Sequence, residues 1–354
     1  MKRNMKFKST YILATILLAA CSQTPKMDIK SVQAVAETTP MPTVGDAADD
    51  PAIWINTNNP ESSLIIGTNK KAGLSVFSLK GELINHFDVG MINNVDIRQG
   101  FPMSNRQIDI VAGSNRTDNS VLVMTIDSTG TLSPILKNPI ISKLDEVYGF
   151  CLYHEKKTNR FYAIVNGKNG GVEQWELTDG GENKITGTLV RTFKVNGQPE
   201  GCVADDDLGF IYLGEEDRGI WKFEASANSK GQGQLIDSIT TGHLVADVEG
   251  LTIYYGENGK GYLIASSQGN NSYAVYKREE NNQYIGSFNI TDSQGIDGTA
   301  ETDGIDVTSI NLGDQFPKGI FIAQDGYNND NGKEANQNFK FVDWQEILKA
   351  LNLN

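Results

Sequence analysis

The residues in this chain that could do chemistry are mostly carboxylates, and their spacing repeats. Asp46, Asp49 and Asp50 stand directly before a short apolar run, Ala52 to Ile55, that reads as a strand. Carboxylates this dense repel one another, so a fold keeps them solvated or gathers them around a cation. A polar residue opening a short strand recurs at Asp50, Asn94, Tyr148, Glu200, Glu249 and Asp303, roughly fifty residues apart. Each unit then turns into a second apolar strand ending on Lys70, Arg116, Lys168, Glu216, Gln268 and Asp325 in turn. The first three units therefore supply cations. The last three supply Glu200, Glu216, Asp247, Glu249, Asp297 and Asp303, with Asp49, Asp50 and Asp96 between the two groups. Oxygen ligands without Cys or His select a hard cation, Ca²⁺ first and Mg²⁺ or Mn²⁺ after it. A cationic half facing a metal-loaded acidic half suits a phosphorylated polyanion: Arg116 forks onto phosphate oxygens while Lys70 and Lys168 act as point charges. The plainer reading, solvated rim charges pairing with one another, fits any one of these residues better than it fits twelve in register.

Other chemistries find no support. The histidines are His86, His154 and His243, none beside an Arg or Ser constellation, and G-x-S-x-G is absent. This argues against a phosphohistidine route and against a serine triad.

The elements that must hold these residues are strands. Glycine is frequent, at 36 residues, and alternating apolar segments are separated by turns such as N-G-K and E-N-G-K-G. That pattern is all-β. Six units of about four antiparallel strands predict a six-bladed β-propeller. The first strand of each blade would line the channel, and its antiparallel partner would bring the two polar series together at one rim. Helical periodicity appears only near Val342 to Leu351. The segment from Met27 to Val44 is expected to complete the last blade by pairing with C-terminal strands.

The N-terminus reads as an export signal. Lys2, Arg3, Lys6 and Lys8 precede an apolar run, Tyr11 to Ala20, and L-A-A-C ends at Cys21. This looks like a bacterial lipoprotein signal with Cys21 lipidated, the alternative being an ordinary signal that contains a cysteine. The expected division is 1–20 signal, 21–36 tether and 37–354 propeller. Ser22 leans towards the outer membrane of a Gram-negative cell. The apolar run is too short to span a bilayer. The net charge of −13 disfavours nucleic acid and anionic membrane surfaces, which leaves the lipid on Cys21 as the membrane contact. A monomer is expected. Cys151 and Cys202 lie in apolar runs. They read as buried small hydrophobes rather than as a disulfide, though both readings stand.

At these residues the chain resembles the β-propeller phytases, calcium-dependent enzymes that remove phosphate from myo-inositol hexakisphosphate. The resemblance is carried by D-A-A-D-D-P-A-I-W (46–54), T-N-K-K-A-G-L (68–74), N-N-V-D-I-R (93–98), S-N-R (114–116) and D-E-V-Y-G-F (145–150). Further matches are E-E-D (215–217), D-V-E-G-L-T-I-Y-Y (247–255), S-S-Q-G-N (266–270), T-D-G-I-D-V (302–307) and Q-D-G (324–326). It implies phosphate binding by Lys70, Arg116, Tyr148 and Lys168. It implies calcium and catalytic carboxylates at Glu200, Glu216, Asp247, Glu249, Asp297 and Asp303, and structural calcium at Glu37, Asp49, Asp50, Asp96 and Asp325. Several Ca²⁺ ions would bind. A metal-bound water, deprotonated by Glu216 or Glu249, would attack phosphorus in line, with Asp303 and Tyr148 in the catalytic set. Activity is expected at neutral to alkaline pH. One departure is N-G-G-V-E after Lys168, where the family carries an acidic residue sooner; Glu173 is the nearest substitute. The rival readings are a calcium-dependent lactonase on the same scaffold and a non-catalytic lipoprotein that binds phosphorylated ligands.

Overall fold

The strands predicted from the repeat form six sheets arranged in a ring. In this computed structural model the described residues are Met1 and 27–353, apart from 280, 294 and 331. The signal segment and Cys21 lie outside the described residues. The inner strands of the six blades are Ala48–Trp54, Ile92–Met103, Val147–Glu155, Pro199–Asp205, Val248–Tyr255 and Ile305–Val307. Each pairs antiparallel with a second strand: Leu64–Asn69, Arg106–Asn115, Arg160–Gly167, Phe210–Glu215, Gly261–Ser267 and Ile320–Asp325. Every inner strand packs against those of the neighbouring blades, and the sixth returns to the first. Sequence burial follows position in the ring. Ala48–Trp54 is buried along its whole length, whereas the outermost strand of the same blade, Leu83–Phe87, is exposed or half-exposed. Strands covered on both faces read as continuous apolar runs, and those covered on one face do not.

Ring closure is shared between two ends of the chain. Ala36–Glu37 pairs antiparallel with Asn338–Asp343 and completes the four strands of blade six, as expected. The strand before it, Ile29–Gln33, does something else: it runs parallel to Tyr284–Thr291 and adds a fifth strand to blade five. A strand of the fold thus lies within the stretch read as a tether. Val32 explains why, since it is buried with Phe288 and Ile290 in the apolar core of that corner. The C-terminal helix, Trp344–Ala350, is capped by Asp343, which accepts a hydrogen bond from Gln345 N. Trp344 is fully buried and stacks on Tyr254 at 4.3 Å.

Cys151 and Cys202 form a disulfide, with their Cα atoms 5.4 Å apart, which corrects the reading of two separate buried thiols. They occupy inner strands of adjacent blades and face each other across the interface between them. Apolar flanks are the same for a buried thiol and a buried disulfide, so local sequence could not separate the two.

Candidate active site

The site is built from one irregularity repeated around the ring. In five blades the first residue of the inner strand pairs with the last residue of the second: Ala48 with Asn69, Ile92 with Asn115, Val147 with Gly167, Pro199 with Glu215 and Val248 with Ser267. The ladder then shifts, and two inner-strand residues bulge before pairing resumes. The first bulged residue is Asp49, Asn93, Tyr148, Glu200 or Glu249, and Asp303 holds the matching place ahead of Ile305 in blade six. The next residue in blades three to six is Gly149, Gly201, Gly250 and Gly304. A Cβ on Gly149 would lie 1.8 Å from the Glu200 carbonyl oxygen, and one on Gly201 2.1 Å from that of Glu249. Glycine there lets each bulge touch the next. Gly250 N and Gly304 N donate to the carbonyls of Asp303 and Asp49, at 2.8 and 3.0 Å. The ring residues of blades one and two are therefore Asp49 and Asn93, not Asp50 and Asn94 as the spacing predicted.

The second series sits where expected in five blades. The backbone N–H groups of Lys70, Arg116, Lys168, Glu216 and Gln268 donate to the carbonyls of Ala47, Met91, Glu146, Gln198 and Asp247. In blade six the residue after the second strand is Gly326, and Asp325 turns elsewhere.

These two series meet at one rim. Lys70 Nζ lies 2.6 Å from Asp46, 3.0 Å from Asp49 and 3.1 Å from Asp303. Gln268 Nε2 donates to Asp303 at 2.7 Å, and Asn93 Nδ2 to Glu200 at 2.6 Å. The Tyr148 hydroxyl lies against Glu200, which in turn faces Glu249. Carboxylate oxygens of Glu200, Glu216 and Glu249 lie within 4.8 Å of one another. On the other side, Arg116 and Lys168 flank the Tyr148 ring, with Arg116 Cζ 6.0 Å and Lys168 Nζ 4.8 Å from its centroid.

Burial and crowding set the charges. Burial, then Asp303, pushes Glu200 up to about 7. Burial, then Asp49, does the same to Asp303. Asp49 rises to about 7 through burial, against the pull of Lys70. Glu249 is raised well above its ordinary range by burial and then by Glu200. Glu216 and Asp247 are also raised by burial, less completely enclosed. Burial works against the Lys70 charge, but Asp49, Asp303 and Asp46 more than offset it. Such a cluster is in conflict with itself at neutral pH.

The remaining predicted residues lie away from the mouth. Asp50 and Asp96 line the central channel, a cavity of about 350 Å³. Asp50 accepts from Val95 N at 3.0 Å, while Asp96 accepts from Leu152 N and pairs with Arg98 at 2.8 Å. Their bulge positions and strand pairing turn them inward, so they do not close the circle at the rim. Glu37, Asp297 and Asp325 gather at a corner of blade six around the fully buried ammonium of Lys340, which also lies 3.0 Å from Asn328 Oδ1. Asp297 therefore belongs to that corner rather than to the mouth. Glu173 is buried and occupied by Ser142, Lys143 N and Trp175 Nε1, so it cannot stand in beside Lys168. Asn93, Glu146 and Lys340 were missed. The glycine after the ring residue in blades three to six was the available signal for Asn93, since its place falls to Asp50 and Asn94 in blades one and two and moves the ring back by one.

A hard cation fits the mouth. Among the described residues, Asp49 Oδ1 and Glu249 Oε2 are buried and have no hydrogen-bond donor. Orphaned carboxylate oxygens are costly unless a cation or proton meets them. With three glutamates converging and no Cys or His among them, the donor set is that of an oxygen-binding metal.

A curated 3-phytase of Bacillus subtilis (strain 168) is 52% identical over 325 residues, covering 90% of this chain and 85% of that protein. Among solved structures, a calcium-binding protein, regucalcin, from Agrobacterium tumefaciens str. C58 superposes with a TM-score of 0.52 at 11% identity, covering 89% of this chain and 96% of that one. The Swd1 β-propeller domain of Myceliophthora thermophila gives 0.44 at 9% identity, covering 84% and 83%. The family profile described as Phytase matches residues 7–354. A propeller whose cations and carboxylates converge at one rim, matched along nearly its whole length by that profile, belongs to the phytase family.

Proposed function

We propose that the protein is a calcium-dependent phosphomonoesterase acting on phytate at the mouth of the propeller. The observation that carries this reading is the meeting of Lys70, Arg116 and Lys168 with Asp49, Glu200, Glu216, Glu249 and Asp303 at one rim. The 52% identity to a 3-phytase supports the substrate class. A lactonase has no use for the three cations.

Glu200, Glu216, Glu249, Asp303 and Asp49 would hold the calcium. Once bound, the ions neutralise substrate charge and lower the pKa of a water. Arg116 and Lys168 are partly open to solvent and receive the equatorial oxygens of the phosphoryl group. Lys70, deeper and locked among carboxylates, fixes the acidic wall against which that group is placed. Tyr148 stays a phenol because burial and then Glu200 oppose its ionisation. Its single O–H meets Glu200 and would turn from that carboxylate to donate to a phosphate oxygen. Glu216, only half enclosed and joined to Gln198 Nε2 at 2.7 Å, is the carboxylate best placed to take a proton from the attacking water.

Phosphate release from phytate with and without EGTA tests the reading. We expect turnover lost with EGTA, restored by Ca²⁺, and a KM raised about tenfold or more in Arg116→Ala. Undiminished turnover in EGTA, or one acidic optimum near pH 4 to 5, would sink it. Export with a lipid on Cys21 belongs to the same proposal on the strength of the L-A-A-C sequence; a monomeric state is proposed with it. Labelling with radioactive palmitate should mark the wild type and not Cys21→Ser.

A further inference from the structure

A single exposed carboxylate occupies the two cations that face solvent at the mouth. Glu146 precedes the inner strand of blade three, and its Oε1 lies 2.9 Å from Arg116 Nη2 and 3.1 Å from Lys168 Nζ. All three side chains are partly open, 45% for Glu146, 30% for Arg116 and 35% for Lys168. Lys168 and then Arg116 hold the Glu146 carboxyl below its ordinary range. An oxygen bridging a guanidinium and an ammonium beside an aromatic ring is the arrangement a phosphate oxygen would make at the same place.

The position is used the same way in the next blade. Gln198 precedes the inner strand of blade four, and its Nε2 holds Glu216, the residue after the second strand, at 2.7 Å. In blades one and two the corresponding residues are Ala47 and Met91, which carry no charge. A carboxylate at this place in blade three is therefore not demanded by the bulge.

We propose that Glu146 is a resident counter-anion, a specificity-determining residue that the incoming phosphoryl group must displace. This deepens the phosphomonoesterase reading and rests on it. Without substrate, Glu146 draws Arg116 and Lys168 to one oxygen and offsets their mutual repulsion. Exposed ion pairs are weak, so a phosphate dianion with several acceptor oxygens can replace the carboxylate. A weaker monoanion gains too little to do so. Specificity arises here from a built-in competitor rather than from an added contact. When ester cleavage leaves inorganic phosphate behind, the return of Glu146 helps to expel it.

The test is calorimetric titration of the calcium-saturated protein with inorganic phosphate, for wild type, Glu146→Gln and Glu146→Asp. Glu146→Gln should bind phosphate about three- to tenfold more tightly and show a lower KM for phytate without a higher kcat. Glu146→Asp should return both values towards wild type. Equal or weaker phosphate binding by a folded Glu146→Gln protein would overturn the proposal, since a mere brace would leave the cations worse placed once removed. Thermal melting checks that the variant is folded, and Glu146→Asp decides the matter if it is not. Failure of the wild type itself to bind phosphate would count against the phosphomonoesterase reading instead.

Discussion

Two buried acidic clusters lie at opposite ends of the same inner strands and solve the problem of their charge differently. At the far end, Arg278 and Asp205 are both buried and joined by two hydrogen bonds of 2.7 and 2.6 Å, with Asp207 taking a third at 2.7 Å. Arg98 likewise bridges Asp96 and Asp206, each at 2.8 Å. There each carboxylate meets a guanidinium or a backbone amide. At the mouth, Glu200, Glu216 and Glu249 face one another, and Asp49 Oδ1 and Glu249 Oε2 meet no donor. A buried charge that is matched within the chain holds the fold together; one left unmatched stores a preference for a ligand.

Substitution should separate the two clusters most sharply. Glu249→Gln should lower kcat by about a hundredfold or more while leaving the melting temperature of the metal-free protein unchanged or higher, because a repulsive charge is removed. Arg278→Met should do the opposite. It strands Asp205, costs about 3–5 kcal/mol and lowers the melting temperature by roughly 5 °C, yet kcat per folded molecule should hold. A large kcat loss in Arg278→Met, or melting collapse in Glu249→Gln, would erase the distinction.

A smaller effect is expected from the disulfide, which binds the strand carrying Tyr148 to the one carrying Glu200. Cys151→Ser with Cys202→Ser should cost about 2–4 kcal/mol in chemical denaturation. The metal-free protein should also respond to pH. Asp49, Glu200 and Asp303 have folded pKa values of about 7, above their ordinary range near 4. The folded state therefore holds more protons than the unfolded one between those values, and stability falls as pH rises from about 4 to about 7. Melting of the chelated protein should drop by several degrees across that window. Ca²⁺ should remove the drop, because it replaces the protons. A flat profile without metal would show that these carboxylates are matched after all.

Much of the site was legible one residue at a time. Lys70, Arg116, Lys168, Glu216 and Gln268 were legible because each ends the second strand of its unit, roughly twenty residues after the polar residue that opens the first. The inner ring was misplaced by one residue in blades one and two, where D-D and N-N offer two polar residues for one place and no glycine marks the register. Asp297 and Asp96 went astray for another reason. An acidic residue near a rim strand has the same local sequence whether it faces the mouth, the channel or Lys340.

The repeat of apolar strands, turns and rim residues determined the six blades, the sign of each blade's contribution and the class of ligand, because those follow from periodicity and residue type. Only the folded ring decided which carboxylates stand unpaired, that Cys151 meets Cys202, and that Glu146 reaches two cations at once. Those facts depend on separations of a few ångströms between blades, and no interval along the chain encodes them.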